Sequence, residues 1–191
     1  MKYDFILIGL TSGGPKALYS IIDKFNESFN IPIIIIQNLP PGFDTIFCQV
    51  FQEKAKIPIV IVDKEVKLEN KIYLPKSGNL LEIIEKNIIK TQESVDTRQC
   101  ISYFIKNCVE KRMKPILVFL SGICLKGDPI DGCKLAKENN IPIIVQNIEE
   151  NPNLILKYET ELPSTIIKEE CYTFISNLMD IPEKIKELLA Q

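Results

Sequence analysis

Tyr3-Asp4-Phe5-Ile6-Leu7-Ile8-Gly9-Leu10 runs straight into Thr11-Ser12-Gly13-Gly14-Pro15-Lys16-Ala17-Leu18, and this junction decides the fold. An apolar run closed by a glycine pair predicts a buried strand feeding a tight turn. Pro15 stands where a helix begins and its missing N–H costs little, so a helix is expected from Lys16 to about Phe25. The pattern recurs along the chain. Ile31-Pro32 opens Ile33 to Ile36, followed by a loop over Gln37 to Phe43 and a helical stretch to about Lys56; Ile57-Pro58 opens Ile59 to Val62, and Ile141-Pro142 opens Ile143 to Val145. Each proline is placed at the first position of an apolar strand, where the lost donor is tolerated.

Apolar strands spaced by amphipathic helices call for an α/β protein with a doubly wound, mainly parallel sheet and helices on both faces. Two short β-type runs, Lys71 to Leu74 and Leu80 to Ile84, flank a turn over Pro75 to Asn79 and read as a small antiparallel excursion at one edge. Beyond them a helix is expected from about Val95 to Lys111, a strand from Pro115 to Leu120 and a helix from about Ile130 to Asn139. A β-type run over Tyr172 to Ile175 and an amphipathic helix over Pro182 to Leu189 follow. With 191 residues, 46% of them hydrophobic, the chain has enough material for one sizeable core, and a single domain over residues 1–191 is expected.

Composition removes several function classes. The 23 basic and 25 acidic residues leave a net charge of -2 with no block of one sign, which argues against a nucleic-acid partner. Met1 to Leu10 is too short for a signal core or a membrane span, so a cytoplasmic location without membrane insertion is expected. Cys48, Cys100, Cys108, Cys124, Cys133 and Cys171 form no CxxC pair, and the chain has no histidine. They read as reduced thiols, and neither a metal site nor a cofactor is expected. Gly13-Gly14 fits neither dinucleotide nor P-loop spacing, so those glycines read as a sharp turn packed closely on the sheet.

Three loops are expected at strand C-terminal ends: Thr11 to Pro15, Gln37 to Phe43 and Ser121 to Gly132. In open α/β sheets ligands bind at that edge, so all three should face one crevice. There the motifs acquire a family likeness. Ile8-Gly9-Leu10-Thr11-Ser12-Gly13-Gly14-Pro15-Lys16-Ala17-Leu18 resembles the I-G-A-S-T-G-G-P-x-A-L opening of the CheB protein-glutamate methylesterase domain, and Gln37-Asn38-Leu39-Pro40-Pro41-Gly42-Phe43 is similar to its Q-H-M-P-P-G-F. Lys71 to Pro75, Ser94-Val95-Asp96, Leu120-Ser121-Gly122-Ile123, Gln146 to Glu150 and Tyr158 to Pro163 resemble later family segments in the same order.

The resemblance implies the methylesterase-domain fold and a Ser-His-Asp triad that hydrolyses methyl-glutamate esters and deamidates glutamines on chemoreceptor helices. Matched position by position, the nucleophile falls on Thr11 with Ser12 adjacent, the base on Asn38, and the orienting acid on Lys126 if Gly127 is the final glycine of that motif. Gly13, Gly14, Pro41, Gly42 and Ile123 match positions that would line the binding crevice. All three triad positions have changed, and no imidazole exists to move a proton for an oxygen nucleophile. A one-residue shift would make Ser12 the nucleophile, a loop adjustment would bring Asp128 or Asp131 to the acid position, and Lys126 could serve Ser12 as a base. Cys124 is a further candidate nucleophile. Two readings follow: an inactive CheB-like binding module for chemoreceptor cytoplasmic helices or another chemotaxis protein, or an ester or amide hydrolase with a rearranged site. The family commonly carries a receiver domain ahead of the catalytic part; with the first strand starting at Tyr3, none is expected here, and control would come from a partner.

Overall fold

The apolar run at the N-terminus forms β1 (Ile6–Leu10), all five residues buried, because it is covered on both faces. Its odd and even side chains serve different layers: Leu7 joins one hydrophobic core, Ile6, Ile8 and Leu10 the other. The computed structural model describes residues 2–149 and 160–191. After β1 come α1 (Gly14–Ile21), β2 (Ile33–Gln37), α2 (Phe43–Gln52), β3 (Ile59–Val62), β4 (Val66–Lys67), β5 (Ile72–Pro75), β6 (Asn79–Glu85) and β7 (Ile88–Glu93). The second half comprises α3 (Cys100–Glu110), β8 (Ile116–Phe119), α4 (Ile130–Glu138), β9 (Ile143–Gln146), α5 (Glu161–Lys168), β10 (Phe174–Ser176) and α6 (Ile181–Leu189).

Seven strands form one sheet in the order β10-β9-β8-β1-β2-β5-β3, and every pairing in it is parallel. On one face lie α1, α2 and α6, contributing Leu18, Phe47 and Ile185 among others. On the other lie α3, α4 and α5, with Phe104, Cys133 and Ile166. That is the doubly wound, mainly parallel sheet expected from the alternating pattern. Pro15 occupies the first turn of α1, as expected, while Pro32, Pro58 and Pro142 precede their strands by one residue. Their carbonyls nevertheless enter the ladder, Pro32 accepting from Ile6 N, Pro58 from Ile72 N and Pro142 from Leu117 N.

Two expectations need correction. Lys71 to Leu74 is not part of an antiparallel excursion: β5 lies inside the main sheet, parallel to both β2 and β3. The antiparallel unit does exist, but as a separate three-stranded sheet β4-β7-β6. The helix expected from Val95 starts only at Cys100, because side-chain turns capture the preceding backbone. Ser94 Oγ accepts from Asp96 N, and Asp96 Oδ1 accepts from Arg98 N. The sequence reading also missed α5, whose first residues overlap the Tyr158 to Pro163 segment. Glu150, Tyr158 and Glu159 lie outside the described residues.

At the sheet edge, β3 is shielded by the helix before it. Gln52 Oε1 accepts from Ile59 N at 2.7 Å, and Cys48 Sγ donates to Ile59 O at 3.7 Å. Among the described residues no helix is long and apolar enough to cross a membrane.

Candidate functional site

Because β1 pairs with β2 on one side and β8 on the other, the loops leaving their C-terminal ends are neighbours. Thr11 follows β1, Asn38 follows β2 and Ser121 stands two residues beyond β8, so the three segments lie side by side at one edge of the sheet. The first and third are joined by a hydroxyl. Thr11 Oγ1 donates to Ile123 O at 2.8 Å and accepts from Ile123 N at 2.6 Å, so both functions of the group are committed to backbone. Thr11 is 6% exposed. The contact is close enough that a Cβ on Gly122 would fall 2.2 Å from Thr11 Oγ1.

A fourth segment links the loops to one another. The turn before α3 reaches the second loop through Thr97 Oγ1, which donates to Asn38 Oδ1 at 2.9 Å. It reaches the third loop through Asp96, whose Oδ2 lies 3.8 Å from Lys126 Nζ, and through Gln99 Nε2, which donates to Lys126 O at 3.2 Å. Arg98 binds the same carboxylate through Nε at 2.8 Å and an NH2 nitrogen at 2.6 Å, holding its pKa far below the usual range. Loop one therefore binds loop three, loop three binds the 94–99 turn, and that turn binds loop two.

The remaining expected residues separate into distinct roles. Ser12 is exposed, and its hydroxyl has no hydrogen-bond partner among the described residues. Lys126 is an exposed rim residue whose ammonium turns to Asp96. Asp128 is 4% exposed and does not face the hydroxyls: its Oδ2 accepts from Ile101 N and its Oδ1 from Ser102 N, so it caps the N-terminus of α3. Burial raises its pKa despite the lowering effect of those bonds. Asp131 is exposed in the first turn of α4. Cys124 is half-buried, and desolvation pushes its thiol up, away from the thiolate that attack requires.

The glycines serve backbone geometry. Gly13 and Gly42 take left-handed conformations immediately before α1 and α2. A Cβ on Gly14 would come within 2.5 Å of Leu10 Cβ and 2.8 Å of Ser121 O, so its place is set by close packing. Pro41 and Gly42 are exposed, and Gly42 N donates to Ser77 Oγ at 2.9 Å. Ile123 contributes its backbone to the clasp with Thr11. Two residues of structural weight escaped the site reading. Gln146 ends an apolar strand and takes Ser121 N–H and O–H on Oε1, at 2.9 and 3.0 Å; Thr97 orders Asn38. A polar residue closing a buried strand was the available signal for Gln146.

Chemically, the loop cluster has hydroxyls but, among the described residues, no group hydrogen-bonded to take a proton from them. The chain has no histidine, Asn38 cannot titrate, and Asp128 is turned to a helix end. Among the described residues no group of three or more Cys, Asp or Glu side chains is placed to hold a metal ion.

Comparison with known proteins gives the site a context. The CheB methylesterase family model matches residues 6–185. A protein-glutamate methylesterase/protein-glutamine glutaminase of Trichodesmium erythraeum is 25% identical over 157 residues, covering 77% of this chain and 44% of that protein. A protein of the same name and numbered 2, from Pseudomonas fluorescens, is 23% identical over 191 residues, covering 97% of this chain and 48% of that protein. The chain thus spans less than half the length of these relatives. The crystal structure of the Thermotoga maritima CheB methylesterase catalytic domain superposes with a TM-score of 0.82 at 20% identity, covering 98% of this chain and all of that one, which shows the shared fold.

Proposed function

Because the chain belongs to the CheB methylesterase family, we propose that it is a chemotaxis-linked CheB-type domain in which ester hydrolysis is lost and the crevice is kept for binding. Its partner in this reading is a chemoreceptor cytoplasmic helix or another chemotaxis protein, met in the cytoplasm. One observation carries the proposal: the hydroxyl at the nucleophile position gives its proton to Ile123 O, a backbone acceptor that cannot pass it to a leaving group. The absent imidazole removes the partner that would compete for that proton. Loss of triad members typically leaves only about 10³ to 10⁴ of acceleration over water, from binding and oxyanion contacts.

The test is methanol release from methylated receptor by purified protein, set beside capture of the protein on immobilised receptor fragments. Capture without release is the expected outcome. The exposed, unpartnered Ser12 hydroxyl supports the second reading, an ester or amide hydrolase with a rearranged site. Release abolished by Ser12→Ala and not by Thr11→Ala would establish that reading and end the first.

A further inference from the structure

At the opposite end of the sheet from the crevice, a cavity of about 920 Å³ opens beneath the N-terminal ends of β1, β8, β9 and β10. We propose that it binds a polyphosphorylated small molecule. Lys2, Arg112, Lys114 and Lys137 line it, and no Asp or Glu side chain does, although the whole chain carries a net charge of -2. Ten other basic side chains form ion pairs among the described residues, and none of these four is among them. Four cations without an ion-pair partner among the described residues, against the one terminal carboxylate of Gln191, concentrate positive potential around one concavity and so favour a ligand with several negative charges.

Helix ends account for only part of this arrangement. Lys137 lies in the last turn of α4 and Arg112 just beyond α3, positions that suit cations. Lys2 and Lys114 stand on the approaches to β1 and β8 and gain nothing from a helix terminus. The walls are ordered: Lys137 Nζ donates to Glu170 O at 2.6 Å, Lys114 N donates to Asp4 Oδ2 at 2.8 Å, and Lys2 Nζ lies 5.4 Å from the Tyr3 ring centroid. Asp4 is thereby occupied. A second recess of about 410 Å³ shares Lys2, Arg112 and Lys114 and adds Lys86 and Lys111 against the carboxylates of Asp4 and Glu85, so basic side chains outnumber acidic ones there as well. The cavity is of small-molecule size, its Arg112 fork suits phosphate oxygens, and Tyr3 and Tyr172 supply aromatic wall.

Calorimetric titration of the purified chain with tripolyphosphate, and separately with ATP, tests the assignment. Saturable one-to-one binding of tripolyphosphate is expected, weakened at least about tenfold by the double change Arg112→Glu and Lys114→Glu. Lys24→Glu with Lys64→Glu alters net charge equally at exposed, unpaired positions elsewhere, and should leave the affinity within about twofold. Lys2→Glu with Lys137→Glu carries the same expected loss and serves if the first double variant does not fold. Absence of saturable binding up to about 5 mM tripolyphosphate, equal weakening by the control pair, or binding of ATP without tripolyphosphate would each overturn the proposal.

Discussion

Thr11 shows how one side chain at the end of a central strand can fasten two remote loops together. Its hydroxyl closes a contact across 112 residues by giving and receiving a bond at Ile123. Thr11→Ala leaves that N–H and C=O without their partner and should cost about 1–3 kcal/mol in urea unfolding, whereas Thr11→Ser keeps the hydroxyl and most of the stability. The family motif made Thr11 a candidate site residue, but the clasp was illegible in sequence because its partner is a backbone unit remote in the chain. The cysteines were more readable as residues than as an arrangement. All six are free, and burial drives the Cys100 thiol to about 12. Thiol-reactive disulfide reagents should therefore label half-exposed Cys48 and Cys124 in the native protein well before Cys100, Cys108 or Cys133, as peptide mapping would read out.

At the scale of elements, the third loop is anchored by Asp128 at the start of α3. Asp128→Ala should destabilise the fold by about 0.5–2 kcal/mol through loss of the cap. The pH response has a definite sign. Burial raises the Asp128 pKa, so the folded state holds its proton more tightly than the unfolded state. This group therefore adds stability as pH falls from the raised folded value through the ordinary carboxylate range. Asp128→Asn removes the titration, so wild type should gain stability relative to this variant as pH falls from the raised folded value toward the ordinary carboxylate range, measured by denaturant midpoints. Element identity was largely legible here, partnership was not. Lys71 to Leu74 was readable as a strand, yet nothing local in Ile72-Tyr73-Leu74 says that it slots between β2 and β3. Likewise Ile88 to Glu93 ends in Thr91-Gln92-Glu93, a polar stretch whose strand character comes from pairing with β6.

Over the whole molecule, the same strands bear both cores. Phe5 and Leu7 face the layer containing Phe104, while Ile6 and Ile8 face the layer containing Ile185. Neither layer can lose its packing without exposing the strands that support the other, so unfolding should be a single transition. Phe104→Ala, at about 3–5 kcal/mol, and Ile185→Ala, at about 2–5 kcal/mol, should shift one common calorimetric peak instead of splitting it. Two separate transitions would show that the layers are independent. The repeated strand-turn-helix pattern made this layered plan readable, and the adjacency of the three strand-end loops followed from it. Which polar groups would meet at the strand ends depended on side-chain directions in the turns, and there Lys126 meets Asp96 while Asp128 holds the start of α3.

The shielded rim of β3 bears on how copies of this chain behave when crowded. A bare outer strand offers its amides as a template for cross-chain zippering, the route to fibrils. Here the Gln52 carboxamide and Cys48 thiol occupy both polar groups of Ile59, so a neighbour cannot begin stitching at that residue. Gln52→Ala would unmask the first donor of an isoleucine- and valine-rich ribbon, and turbidity or thioflavin signal on concentration should rise before any change in melting temperature is seen.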